Sequence, residues 1–379
     1  MRPAFSTTRS AAAFALLLLG LILSPLIAGK GLLPPRREIY SSIWWANGDF
    51  PYMEQQIFVE KGDIDILFVG ASHIWGAFDT PYIQKQLSKQ LGRQAIVRTF
   101  GWGGAGEDEL YLVTQDLLAH RKVSMLVFDD VYNELDTPYP LVTHSFRFGE
   151  NADALAGLPL SFKTYYYFAS IVGMPRNLLS LIRRNIPADL NPYKKTYWEN
   201  FAIALNPKAN PLNPVAGLGS MTACVGFRST PLADRDPFVA CTPQTELQPS
   251  DVCVYSSNTS AVFNFSSNTF PTMQLHFLRK FAGLAQKDGC KLVQVHIPVF
   301  AERHLPVIPE SAFWPDLLQA DVSMLGIPPA VLFRGLTDGD IRKLYEDPVH
   351  FNKNGHDYFS ALMTPVLLQM YDTHIKTNP

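Results

Sequence analysis

The sequence predicts an α/β fold of three layers, α/β/α, in which helices cover both faces of a five-stranded parallel sheet and an irregular insertion interrupts the order. Three observations carry this. Short apolar runs alternate with segments of helical spacing, the links between them are short, and the alternation stops near Thr137 and resumes after Pro271. Strand–helix–strand order with short links implies right-handed crossovers and parallel neighbours.

The elements follow in order. Ile64–Val69 (IDILFV) is a short, mostly apolar run ending in Gly70, the mark of a buried parallel strand. Pro81–Leu91 has helical spacing and stops at Gly92, Ala95–Phe100 is a second strand, Glu107–His120 a helix and Ser124–Asp129 a third strand. Residues 137–271 form the insertion or cap. It contains an aromatic helical stretch, Ser161–Arg184, then a Pro/Asn/Ser-rich region without a period. The aromatic stretch ends in Arg183 and Arg184 and reads as a buried cap helix, or as a partner- or membrane-surface element. After the insertion come helix Met273–Lys287, strand Lys291–Ile297, helix Ser311–Leu325, strand Ala330–Phe333 and a C-terminal helix over Asn354–His374. Joined, residues 63–136 and 272–379 give a flavodoxin-like sheet of ordinary domain size.

Composition narrows the function. The chain has 379 residues, a net charge of −2, 47% hydrophobic and 17% charged residues. That is too apolar for a disordered chain, and the near-neutral charge gives no electrostatic reason to bind nucleic acid. No CxxC or Cys/His cluster suggests zinc. After a ten-residue tail, Ala11–Ala28 (AAAFALLLLGLILSPLIA) is uncharged and just long enough to span a bilayer. A cleaved signal peptide competes with an anchor, but a cut after Ala28 would place Leu26 where a small residue belongs. We therefore expect an uncleaved single-pass anchor, with residues 29–62 as connector and the remainder exported. Cationic residues on both sides leave the orientation unfixed. Cys224, Cys241 and Cys253 are close in sequence and are candidates for a disulfide outside the cytoplasm.

Ligands of parallel sheets bind beyond the carboxyl ends of the strands, and the unusual residues are there. Ser72 follows strand one in Gly70-Ala71-Ser72-His73-Ile74-Trp75-Gly76, as a presented hydroxyl or as a helix cap. Strand two is followed by Gly101-Trp102-Gly103-Gly104-Ala105-Gly106-Glu107. Gly101, Gly103 and Gly106 satisfy GxGxxG, with Asp129 downstream as a candidate ribose ligand. Yet a dinucleotide fingerprint belongs after the first strand. After strand three, Asn133 is a candidate oxyanion donor, while Asp129, Asp130, Glu134 and Asp136 form an acidic set able to hold a hard cation or simply solvated. Asp347 and His350, in Asp347-Pro348-Val349-His350, are spaced to face one site, where a histidine accepts a serine proton and an aspartate fixes its tautomer. His73 and His296 lie near strand ends and are tentative lining residues, as are Trp75 and Trp102, which can stack on a sugar or pack in the core.

Together these four blocks resemble the GDSL/SGNH hydrolase superfamily, which carries a serine after strand one, a glycine after strand two, an asparagine after strand three and Asp-x-x-His near the C-terminus. Ser72 matches the nucleophile, with Ala71 where the family has aspartate. Gly106 matches the oxyanion glycine and Asn133 the oxyanion asparagine, although its surroundings depart from GxND. Asp347 and His350 match the last block. The resemblance spans about 63–133 and 273–374. It implies a Ser–His–Asp esterase or O-acyltransferase with an acyl-enzyme and an oxyanion hole of Ser72, Gly106 and Asn133, without metal or cofactor. With the anchor, the chain is similar to membrane-tethered proteins of bacterial envelopes that act on acyl groups, acetyl above all, of polysaccharides or other envelope polymers, often beside a membrane-bound acyltransferase. That places it in the inner membrane with its catalytic domain in the periplasm. The alternative is a non-catalytic protein of the same fold that binds a polymer or a membrane partner.

Overall fold

The computed structural model describes residues 7–27, 34–42, 49–104, 106–130, 136–185, 249–267 and 269–377. The chain opens with an apolar helix, α1 (Thr8–Ile27), long and apolar enough to cross a membrane and only 6% buried in its most apolar window. Two helices, α2 (Arg37–Ser42) and α3 (Asp49–Phe58), occupy the stretch expected to be a connector. They are part of the core: Ile39, Tyr40, Phe50, Tyr52, Met53 and Ile57 are all buried. Each such side chain contributes roughly 1.5–3 kcal/mol by leaving water. Arg36 ties this stretch to the body through a two-pronged ion pair with Asp116.

Strand β1 (Ile64–Ala71) leads into α4 (Ser72–Ala77) and α5 (Thr80–Leu91). The Asp79 carboxylate accepts the Tyr82 N–H at the start of α5, and Gly92, at φ 63°, closes it. Then come β2 (Val97–Trp102), α6 (Glu107–Leu118) and β3 (Val123–Asp129). The insertion supplies α7 (Val142–Ser145), α8 (Phe148–Asn151), α9 (Leu160–Asn185), β4 (Cys253–Val254) and β5 (Phe263–Phe265). The chain continues through α10 (Thr272–Lys287), β6 (Lys291–Val295), β7 (Ile308–Glu310), α11 (Trp314–Leu318) and β8 (Val322–Gly326). It finishes with α12 (Pro329–Leu332), α13 (Asp338–Arg342) and α14 (Lys353–Thr377).

Among the described residues the central sheet has six strands in the order β2-β1-β3-β6-β8-β4, parallel except for β4, which runs antiparallel to β8 at the edge. From Ile66 onward, alternate residues of β1 face opposite ways. Leu67 and Val69 join a cluster with α3, α6 and α10, while Ile66 and Phe68 join another with α5 and α14. A third cluster packs Val142, Phe146 and Tyr166 of the insertion on Tyr111 and Phe277. The expected count of five strands is thus corrected to six, the extra one coming from the insertion.

A second correction concerns the last strand. Ala330–Phe333 falls on α12, because Pro329 in the first turn fixes φ for a helix start. The predicted helix Ser311–Leu325 is instead a short helix ended by Gln319 at φ 54°, followed by β8. A non-glycine residue in that left-handed region stops the helix with no residue-type signal to announce it.

Candidate active site

Ser72 is the first residue of α4, placed at the carboxyl end of β1. The helix cap position belongs to Ala71. The Ser72 hydroxyl lies instead 2.9 Å from His350 Nε2, across 278 residues of sequence. His350 stands in the loop between α13 and α14, and its Nδ1 lies 2.7 Å from Asp347 Oδ2. Asp347 Oδ1 accepts the backbone N–H groups of Val349 (2.7 Å) and His350 (2.8 Å). Because a carboxylate only accepts, the proton between Asp347 and the ring belongs to Nδ1, which leaves the Nε2 lone pair for the Ser72 O–H. Partial burial pushes the Asp347 carboxyl up, but bonds from the His350 ring and the two N–H groups outweigh it and hold the carboxyl below its ordinary range.

The loop is itself fixed. Phe300 N–H donates to Pro348 O (3.0 Å), Glu346 N–H to His350 O (2.9 Å), and Asn352 Nδ2 to Lys343 O (2.6 Å). Behind it, α14 is tied to the chain following Ser72. The Ser360 hydroxyl donates to Ala77 O (3.1 Å) and accepts Asp79 N–H (2.8 Å), and His356 Nδ1 lies 3.1 Å from Gly76 O.

Gly106 sits immediately before α6 and lines a small cavity together with Gly70, Ala71, Glu107 and Asp129. It must lack a side chain: a Cβ there would stand 2.6 Å from the Tyr139 ring. Tyr139 has little room to yield, since its hydroxyl donates to Gly103 O (2.7 Å) and its N–H to Asp108 Oδ2 (3.0 Å). Asn133 and Glu134 lie outside the described residues, as do Cys224 and Cys241. Cys253 is half-buried and forms no disulfide among the described residues.

Of the tentative lining residues, His73 joins the site. Its ring centre is 6.4 Å from that of His350, edge to face, and its Nδ1 is 3.6 Å from Asp129 Oδ2. His296 is buried at the end of β6, with Nε2 3.2 Å from Glu302 Oε2, and no contact joins it to Ser72. Trp75 and Trp102, which could stack on a sugar or pack in the core, are 0% and 1% exposed and pack in the core, Trp102 also lining the small cavity beside Gly106. Gly101 belongs to β2, paired with Gly70, and its bare Cα lets the Trp75 ring lie where a Cβ would be 2.8 Å away. The first glycine of the GxGxxG pattern therefore serves packing rather than a phosphate.

The acidic set is dispersed. Asp130 accepts Ser311 N–H (2.6 Å) and the Ser311 hydroxyl, and Asp136 accepts the Met273 N–H at the start of α10 (2.9 Å). Among the described residues, the cluster closest to metal-ligand geometry is Asp79, His356 and Asp357, whose ligand atoms lie within 4.8 Å of one another. Two of its members already make the α14 ties and the α5 cap.

The sequence reading missed the buried acids opening α6. Burial pushes Glu107 up to about 7 and Glu109 up to about 8, and raises Asp108 as well. Asp108 is served by the Tyr166 hydroxyl (2.7 Å) and Tyr139 N–H, and Glu109 by the Ser145 hydroxyl (2.8 Å). Asp129 is 2% exposed, and neither of its carboxylate oxygens has a hydrogen-bond partner among the described residues. No known family model matches this chain, and no curated protein matches it in sequence.

Proposed function

We propose that the protein is a serine esterase or O-acyltransferase of the GDSL/SGNH type, held to a membrane by α1 and acting on acyl esters, acetyl above all, of a carbohydrate or envelope polymer. The observation that carries the chemistry is the unbroken chain Ser72 Oγ, His350 Nε2, His350 Nδ1, Asp347 Oδ2, with links of 2.9 and 2.7 Å. The mostly parallel six-stranded sheet, with β2-β1-β3-β6-β8 running in one direction, supports the same reading.

In this reading His350 Nε2 takes the proton as Ser72 Oγ attacks the ester carbonyl carbon. The carbonyl π pair moves onto oxygen, and the N–H groups of Ser72 and Gly106, with the Asn133 amide, stabilise that oxyanion. Collapse expels the alcohol, which leaves with the proton from His350 and yields acyl-Ser72. Water or an acceptor hydroxyl, deprotonated by His350, then attacks the acyl carbon and regenerates the serine. Asp347 holds the ring and stabilises the imidazolium through both steps.

The test uses the full chain in detergent with a chromogenic acetate ester and a serine-directed fluorophosphonate. Wild type should hydrolyse the ester and take the label, and Ser72→Ala should do neither. Equal behaviour of the two proteins removes Ser72 from the mechanism. An unlabelled, inactive wild type favours a polymer- or partner-binding protein of this fold.

A further inference from the structure

One element remains unused by this chemistry. Helix α9 has 26 residues, and its buried side (Tyr166, Ala169, Ser170) packs on the body of the protein. Its other side is apolar and bare: Tyr165, Phe168, Val172, Leu179 and Ile182 are each 43–59% exposed. At 3.6 residues per turn these five fall within an arc of about 100°, the width of an apolar face that faces a nonpolar phase. Among residues of that arc whose side chains are described, none is charged.

What covers the stripe follows from its neighbour. Helix α1 packs along α9 and α8, and the Tyr167 hydroxyl donates to the Ile22 carbonyl. Pro25 cannot return an N–H to Leu21 O, and the Ser24 hydroxyl serves that carbonyl at 2.5 Å. Proline in a membrane helix needs such local partners, because lipid offers none. Tyr167 lies between the buried side of α9 and the apolar stripe, so the stripe continues the exposed surface of α1, where Leu16 and Leu17 are 69% and 74% exposed. Ile22 is five residues from the end of α1, about 8 Å along its axis. That is the depth at which an amphipathic helix sits in the headgroup–acyl boundary.

Resting on the reading of α1 as a membrane anchor, we propose that α9 is a second membrane element. It lies in the interface of the bilayer that α1 enters, its Tyr165–Ile182 stripe facing lipid, and so fixes how the globular body sits on that surface.

The test places p-benzoylphenylalanine singly at positions 168, 18 and 117 of the full chain, reconstituted in nanodiscs of equal parts phosphatidylcholine and phosphatidylglycerol. After irradiation, lipid adducts are read by mass spectrometry. Position 168 is more than half exposed, so the probe leaves the fold intact, while Leu117 is fully buried and reports background once circular dichroism shows that its variant keeps the wild-type fold. Adducts at 168 and 18 with none at 117 are expected. Adducts at 18 alone overturn the proposal while sparing the anchor. Crosslinks from 168 to residues 186–248, or to a second copy, also overturn it, because another occupant then covers the stripe. Adducts at neither 168 nor 18 remove the anchor reading and this proposal with it.

Discussion

Replacing Asp347 with Asn retains two hydrogen bonds and reverses a third. The amide oxygen keeps the N–H groups of Val349 and His350, which stand 2.7 and 2.8 Å from Oδ1 in the wild type. Its NH2 then faces His350 Nδ1, where Asp347 Oδ2 accepts at 2.7 Å. The ring answers with the other tautomer: Nδ1 accepts, Nε2 carries hydrogen, and the atom 2.9 Å from Ser72 Oγ can no longer take a proton. In Ser–His–Asp sites this inversion costs about 10⁴ in kcat, or about 5.4 kcal/mol of barrier. Here the acid is less sheltered. The Asp347 side chain is 48% exposed, so water screens part of its charge on the imidazolium but none of the tautomer effect. We expect kcat for a chromogenic acetate ester to fall between about 10² and about 10⁴ with KM nearly unchanged. A variant as fast as wild type, beside an inactive Ser72→Ala, would refute the tautomer argument and leave Asp347 as a loop tie alone.

Other perturbations test the frame around the site. Gly106→Ala drives a Cβ to 2.6 Å from the anchored Tyr139 ring, and should lower stability by about 1–3 kcal/mol in urea unfolding. Arg36→Ala leaves the buried Asp116, among the described residues, with only the Tyr40 hydroxyl (3.0 Å) and should cost about 3 kcal/mol by the same measurement. Glu109, ordinarily at 4.5, is pushed up to about 8 by burial, so the folded chain holds a proton that the unfolded chain releases. Glu109 should therefore make stability fall as pH rises from about 4.5 to about 8, by at most about 1.4 kcal/mol per unit; Glu107, pushed up to about 7, adds to the fall, and Glu109→Gln should remove the Glu109 share of the slope. A wild-type urea midpoint unchanged between about pH 5 and about pH 8 would contradict it.

How much was legible in the sequence depends on whether a feature is local. The α5 boundaries were readable from Pro81 and Gly92, and β1 from the apolar run Ile64–Val69, which the structure buries throughout. The last strand was not, because two apolar runs compete there and the decision lies in Pro329 and in the left-handed Gln319. β4 has only two residues and exists through its pairing with β8. In the site, Ser72 and the Asp347–His350 spacing stand out because chemistry restricts their types and positions. The tryptophans stay ambiguous in sequence: next to a strand end, whether an indole faces a ligand or the core depends on distant packing, here the bare Gly101 beneath Trp75. The burial of the α6 acids has no local signal. The helix dipole favours acids in a first turn wherever the helix sits, so Glu107, Asp108 and Glu109 look alike in sequence whether buried or solvated. Tyr139, Ser145 and Tyr166 arrive from the insertion and bury them.

The half-exposed acid bears on how the site keeps its geometry. Burial does not hold Asp347, so the position of the His350 ring rests on backbone bonds within the loop and on its two flanks. One flank is α14, joined to the chain after Ser72 by Ser360, which bridges Ala77 O and Asp79 N–H while fully buried. The other is the 300–305 segment, whose Phe300 N–H holds Pro348 O and whose Phe300 ring lies under the Arg303 guanidinium at 4.5 Å. A shift of α14 relative to α4 therefore moves imidazole and hydroxyl apart without touching either residue. Near-attack geometry tolerates about 0.5 Å, so the hydrogen bonds at Ser360 and Pro348 matter to the chemistry as much as the acid's own charge. The serine and histidine are 278 residues apart in sequence, yet a four-residue loop and one buried hydroxyl set their distance.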